Sequence, residues 1–255
     1  MLPAWISFIT ILRKEIRRFT RIWLQTLVPP VITMTLYFVI FGRLIGSRIG
    51  EMGGFSYMQF IVPGLIMMSS LTNAFANVAS SFYSTKFARN VEELLISPTS
   101  PHVIILGYVA GGMARGLCVG ILVTAVSLFF VSFDIHSWWV IFLTLLMTTA
   151  TFALGGLINA LFAQSFDDIS IIPTFVLTPL TYLGGVFYSI SLLPPFWQAV
   201  SKLNPIVYMI NGFRYGFLGI SDVGLSYTFG VLAIFISLLY GIAYYLISRG
   251  VGLRS

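Results

Sequence analysis

Trp138-Trp-Val-Ile-Phe-Leu-Thr-Leu-Leu-Met-Thr-Thr-Ala-Thr-Phe-Ala-Leu-Gly-Gly-Leu-Ile-Asn-Ala-Leu-Phe-Ala163 is a run of 26 residues without one charged side chain. About 20 apolar residues in a helix suffice to cross the hydrocarbon core of a bilayer, so this stretch reads as a membrane span. Working outward, the same pattern recurs. Charge-free stretches run from Ile22 to Gly42, Met52 to Thr85, Gly116 to Phe133, Ile135 to Phe166, Ile169 to Ser201 and Val223 to Ser248. Backbone polar groups in lipid must be satisfied internally, and continuous apolar runs indicate helices where a barrel would show alternating strands.

The composition of the 255-residue chain agrees. It is 58% AVILMFWYC and 9% charged, with a mean hydropathy of +0.95, whereas soluble domains are about 45–50% apolar and about 25% charged. A water-soluble enzyme is excluded, and the fold class is all-α integral membrane. The single cysteine, Cys118, lies in an apolar run and reads as a small core residue, so neither a disulfide framework nor a thiolate metal cage is available. His102 and His136 are 34 positions apart and form no helical ligand pair. No metal site is expected.

From Trp5 to Trp23 the apolar residues Trp5, Phe8, Leu12, Ile16, Phe19 and Trp23 recur in steps of three and four, with Ile9 beside Phe8. Arg13, Lys14, Glu15, Arg17, Arg18 and Arg21 lie between them. Such a helix, about residues 3–22, is amphipathic and lies in the membrane interface. The net charge of +6 could suggest nucleic acid, but five of the fourteen cations fall between Arg13 and Arg21 beside a membrane entry. A basic cluster there is drawn to anionic lipid headgroups, and no nucleic-acid partner is expected. The order of basic and apolar residues is the reverse of a secretory signal, so the arm is expected to be retained.

Six spans are expected at about 24–42, 60–82, 108–133, 138–163, 169–190 and 227–248. An even number puts both termini on one side. A cytoplasmic N-terminus places nine cations inside and four, Arg43, Arg48, Lys202 and Arg214, outside, as the positive-inside bias requires.

Two connections carry structure of their own. The loop of about 84–101 reads Lys86-Phe-Ala-Arg-Asn-Val-Glu-Glu-Leu-Leu-Ile-Ser-Pro98 in its centre. Asn90 can cap a short helix with Glu92 and Glu93 in its first turn, where the helix dipole favours anions, and Pro98 stops it. That helix presents Leu94, Leu95 and Ile96. The stretch of about 192–219 contains Pro194, Pro195 and Pro205, and its apolar pieces are too short to cross. With Trp197, Tyr208 and Tyr215 suited to the interface, it reads as an external or re-entrant helical hairpin.

No catalytic constellation is present. Asp167 and Asp168 point in different directions on successive helical positions and read as caps. Gly107, Gly111, Gly112, Gly116 and Gly120 lack the lysine of a phosphate loop, and their spacing matches close helix packing. The chain does not bind and hydrolyse ATP by itself. Arg115, the one cation inside an apolar segment, reads as snorkelling towards the cytoplasmic face, with a functional intramembrane charge as the other reading. Polar residues form two stripes: Ser69, Asn73, Asn77 and Ser81, and Thr174, Thr178, Thr181 and Gly185. Together with Phe75, Phe175 and Tyr182 they could line a translocation path, or they could hydrogen-bond neighbouring helices. Pro173, Pro179, Gly184 and Gly185 add kinks and a hinge to the fifth span.

A basic amphipathic arm, six spans, a charged loop after the second and a hairpin before the sixth resemble the type-2 permeases of ATP-binding cassette (ABC) exporters, the ABC-2 type. The family's spaced positions are matched by Leu177, Leu180, Leu183, Gly184 and Val186, by Leu193 and Pro194, by Pro205-Ile-Val-Tyr208 and by Arg214. The runs Gln25 to Tyr37 and Leu177 to Tyr188 are similar to a bacterial inner-membrane member. The resemblance implies a homodimer of permeases and two copies of a separate ABC ATPase subunit that holds ATP and Mg, with no cofactor on this chain. It makes the arm the interface helix and Arg89 to Pro98 the coupling helix, and it puts the path on the second and fifth spans. Pro205, Tyr208 and Arg214 then belong to the external hairpin. The expected cargo is amphipathic or lipid-linked: a glycolipid, polysaccharide-lipid, lipid or drug. The competing class is a membrane scaffold or assembly factor without transport.

Overall fold

The computed structural model describes residues 2–91 and 99–253. The arm is α1 (Leu2–Arg21), followed by a broken first span made of α2 (Trp23–Thr26), α3 (Val28–Tyr37), a π-helical stretch (Phe38–Ile45) and α4 (Gly46–Ile49). Strands β1 (Glu51–Met52) and β2 (Phe55–Ser56) lead into α5 (Tyr57–Phe87). Then come α6 (Pro101–Ser127), α7 (Trp138–Phe162) and a fifth run built of α8 (Asp168–Ile171), a second π-helical stretch (Ile172–Leu177) and α9 (Thr178–Leu183). A 3-10 turn (Ile190–Leu192) precedes the short helices α10 (Pro195–Lys202) and α11 (Pro205–Leu218), and α12 (Leu225–Arg249) closes the bundle.

Helices spanning Trp23–Gly42, Tyr57–Phe87, Pro101–Ser127, Trp138–Phe162 and Leu225–Arg249 are long and apolar enough to cross a membrane; the fifth run, Asp168–Leu183, is shorter. It stops at Leu183 where 190 was expected, because Gly184 is followed by Gly185 at φ +80°, a left-handed turn that favours glycine. Pro173 and Pro179, each missing an amide donor, account for its broken hydrogen bonding. The third span also differs. Hydropathy centred it at 108–133, but the helix begins at Pro101, in the N1 position behind Ser100, whose hydroxyl accepts the Val103 amide.

The sequence reading had no strands. Gly53 and Gly54 both take positive φ, +62° and +82°, the requirement of a tight two-residue hairpin turn, and pair Met52 with Phe55 and Glu51 with Ser56. Ser56 then caps α5 in a reciprocal box with Gln59.

At ~1.5 Å per residue α5 is about 46 Å long, and it is the most buried of the long helices. Apolar packing forms two clusters along it. One, around Phe60, Leu65, Leu71 and Phe213, lies towards the hairpin; the other, around Ile11, Phe82, Tyr108 and Leu157, lies towards the arm. Glycines set the closeness of α6. A Cβ at Gly116 would lie 2.9 Å from the Ser70 carbonyl of α5 and 2.8 Å from Thr149 of α7; one at Gly107 would lie 2.7 Å from Ile11 of α1.

Candidate functional site

The arm divides into three faces. Ile11, Glu15 and Phe19, four residues apart, are buried against the bundle. Trp5, Ile6, Ile16 and the following Trp23 are exposed apolar groups, and Arg13, Arg17 and Arg21 are exposed cations. The expected apolar stripe is therefore split: its edge turns outward, and the buried line carries an acid at its centre. Glu15 fits because Gly111 of α6 offers no side chain there; a Cβ would run into Glu15 Cβ.

Glu15 is 0% exposed. Ser81 Oγ of α5 donates to its Oε1 at 2.6 Å, and Arg18 Nε lies 3.5 Å from its Oε2. Arg18 Nη2 in turn donates to the Asn77 carbonyl and to Asn77 Oδ1, both at 2.8 Å. Lys14 Nζ donates to Thr85 Oγ1 at 3.3 Å and to the Tyr108 hydroxyl at 3.2 Å. One step deeper, Arg115 Nη2 donates to Asn73 Oδ1 at 2.9 Å and to the Thr26 carbonyl at 3.3 Å. The snorkelling expected of Arg115 is thus not what the structure shows: its guanidinium bridges three elements inside the protein. The α5 stripe of Asn73, Asn77 and Ser81 faces α1 and α6, and Ser69 Oγ and Asn77 Nδ2 of the same stripe are buried without a partner.

Phe75, half a helical turn away from that stripe, faces elsewhere. It lines an apolar hollow of about 380 Å³ with Phe152, Asn159, Leu177, Leu180 and Phe235. Thr174, Phe175 and Thr178 lie on the outer face of the fifth run and are exposed, Phe175 to 73%. Thr178 Oγ1 donates to the Pro173 carbonyl at 2.9 Å, across the turn that the proline loosens. Tyr182, also exposed, lies 5.9 Å from the Phe187 ring, which packs on Phe41 of the first span at 4.9 Å. At the opposite end of the run Asp168, outside its apolar part, accepts the Gln164 and Ser165 amides, which hold its carboxyl below the usual carboxylate range.

In the hairpin, Pro205 starts α11 behind Asn204, whose Oδ1 accepts the Ile206 amide at 3.0 Å and whose Nδ2 donates to Leu180 of the fifth run at 2.6 Å. The Tyr208 hydroxyl donates to the Lys202 carbonyl and ties α11 to α10. Arg214 is 1% exposed and lies over the Phe60 ring. α11 packs on α5, α7 and α12.

Of the expected coupling residues, Glu92, Glu93, Leu94, Leu95 and Pro98 lie outside the described residues. Arg89 lines a hollow of about 660 Å³ with Tyr83, Lys86, Gln164 and Gly252 and takes φ +59°. Lys86 Nζ donates to the carbonyls of Leu161 and Ala163 at the end of α7, at 2.9 and 2.8 Å. Sequence reasoning passed over Lys86, Tyr108 and Asp222 as partners. The one available signal was their position at segment ends next to apolar runs.

Residues 6–218 match the ABC-2 type transporter family. The chain is 70% identical over 251 residues to the inner membrane transport permease YadH of Escherichia coli (strain K12), covering 98% of each. It is equally similar to the YadH of Shigella flexneri. A more distant relative is nodulation protein J of Neorhizobium galegae, 22% identical over 96% of this chain and 94% of that protein.

Proposed function

This chain belongs to the ABC-2 type transporter family and is the permease subunit of an ABC transporter, and we propose that it exports an amphipathic or lipid-linked compound from the cytoplasm or inner leaflet across the bacterial inner membrane. Two copies would face each other, each docked through its coupling segment on a separate cytoplasmic ATPase that binds ATP and Mg. Closure of the ATPases over ATP would push both coupling segments and switch the pair between inward- and outward-open states. Both termini are cytoplasmic in this reading, and the hairpin dips into the outer side of the membrane.

The observation that carries the reading is the outer face of the fifth run. Hydroxyls at Thr174 and Thr178 and rings at Phe175 and Tyr182 are uncovered in a single chain. Beside them lies the apolar hollow around Phe75. Apolar walls with a few hydroxyls and amides suit a greasy cargo with a polar end. Asn77 contributes to the path in this reading by holding α5 against the arm and Asn73 by holding it against α6, so that movement of the arm reaches the wall behind Phe75.

The test uses single cysteines in a Cys118→Ser background, reconstituted with the ATPase subunit. Alkylation at Thr178→Cys is expected to block export and at Phe129→Cys, an exposed position in the turn just past α6, to leave it unchanged. Export unaffected by full labelling at Thr178 would remove the path from this face. Charge reversal at Glu92 and Glu93 to lysine is expected to abolish co-purification with the ATPase while the permease stays folded.

A further inference from the structure

We propose that Arg214 and Asp222 form a two-point clasp that holds the chain break after the fifth run shut against α5 and α11, and that this clasp opens when cargo leaves at the hairpin face. The inference rests on the export reading for its timing only.

The break is the stretch from Gly184 to Leu193, where helix gives way to turns between the proposed path and the hairpin. Its backbone is held from three directions. Arg214 Nη2 on α11 donates to the Gly185 carbonyl at 2.6 Å. Asp222, in the loop after α11, accepts the Ser189 hydroxyl at 2.6 Å and the Ile190 amide at 3.0 Å. The Tyr57 hydroxyl at the start of α5 donates to the Phe187 carbonyl at 3.2 Å. Between these points Val186 is wholly buried, and its backbone sits so close to Gly64 of α5 that a Cβ there would lie 3.0 Å from Val186 Cα.

Each jaw of the clasp is itself anchored. Arg214 Nε donates to the Phe60 carbonyl at 3.3 Å, one turn ahead of Pro63, whose missing amide loosens that part of α5. The Asp222 amide donates to Asn211 Oδ1 on α11 at 2.9 Å. Arg214 and Asp222 line one hollow of about 220 Å³, yet the pair they could form is not made. Among the described residues the ion pair is Glu15 with Arg18. Arg214 is buried and Asp222 is exposed at the mouth of that hollow; each bonds to the break and not to the other. A guanidinium bonded to carbonyls, and a carboxylate bonded to an amide and a hydroxyl, make charge-assisted contacts stronger than neutral ones. The exposed Asp222 can exchange its bonds for water, so the clasp opens from the Asp222 side while Arg214 stays anchored on Phe60.

The experiment measures maleimide labelling of Val186→Cys in the Cys118→Ser chain in nanodiscs, with and without the ATPase subunit and ATP. Leu232→Cys, buried in α12, is the control. Arg214→Gln is expected to speed labelling of Val186→Cys roughly tenfold and Asp222→Ala roughly threefold, as loss of charge-assisted bonds predicts. Arg214→Lys, which keeps the charge and reaches a single carbonyl, is expected to fall between wild type and Arg214→Gln. Leu232→Cys should not respond. Wild-type rates at Val186→Cys in Arg214→Gln and Asp222→Ala overturn the clasp, as does a parallel rise at Leu232→Cys, which would mean general loosening. Should Arg214→Gln fail to fold, Asp222→Ala decides by the same criteria. The export reading is judged apart from this, by whether ATP with the ATPase subunit speeds labelling in the unsubstituted clasp.

Discussion

Asn73, Asn77 and Ser81 on α5 face α6 and the arm and bond to Arg115, Arg18 and Glu15, whereas Thr174 and Thr178 on the fifth run are exposed, with none of the described elements covering them. Both sets repeat at helical spacing, and both were candidates for a path. Their surroundings separate two uses of polar residues in a membrane. Where a stripe carries amides and meets charges, it fastens helices together; where it carries hydroxyls that satisfy themselves on their own helix, it can be left bare. Threonine can do the second because its Oγ returns to a carbonyl of the preceding turn, as Thr178 does to Pro173. Asparagine presents an amide oxygen as well: Asn73 Nδ2 returns to the Ser69 carbonyl of its own helix, while Oδ1 of Asn73 and of Asn77 accepts from Arg115 and Arg18.

Substitutions can break this contrast, the largest effect first. Glu15→Ala removes the carboxylate that compensates Arg18 and is expected to cost about 3 kcal/mol, the lower end for a broken buried pair, because Arg18 keeps 29% of its side chain exposed. Thermal unfolding in detergent, and faster trypsin cleavage at Arg17 and Arg21 as the arm lifts, would register it. Gly111→Ala puts a methyl group into Glu15 Cβ and should cost about 2 kcal/mol as overpacking; the same two measurements apply, and because alanine at position 15 keeps that Cβ, Glu15→Ala combined with it should be close to additive. Asn73→Ala leaves Arg115 with the Thr26 carbonyl and should cost about 1.5 kcal/mol, read as a lowered unfolding temperature without new trypsin sites. Thr178→Ala is expected to change stability by less than about 0.5 kcal/mol while altering export. A destabilisation by Thr178→Ala as large as that of Asn73→Ala would erase the distinction between the stripes.

The parts of the fold visible in the sequence are those decided by local hydropathy. The fourth span was placed at 138–163 and is helical over Trp138–Phe162; the sixth was placed at 227–248 and is helical over Leu225–Arg249. The glycine spacing of α6 likewise announced close packing, although not which helices would come close. Hydropathy misplaced the third span because Pro101 and Ser100 begin a helix well before the apolar stretch is at its strongest. The fifth ended early because two adjacent glycines outweigh the apolar residues that follow them. The site was less legible. A stripe has a spacing but no address: nothing in Ser69, Asn73, Asn77 and Ser81 says that α1 rather than a channel lies opposite. Glu15 looked like one more charge in a basic arm, since its burial depends on Gly111, nearly a hundred residues further on. The clasp residues Arg214 and Asp222 meet the break only once α11 has folded back along α5.

Lys86 binds the last carbonyls of α7 while sitting at the end of α5. Those two helices therefore share a yoke on the arm side, a few residues before the chain reaches Arg89. A pull on the end of α5 there is passed through those two bonds to the end of α7 as well, so the two helix ends are tied in their movement.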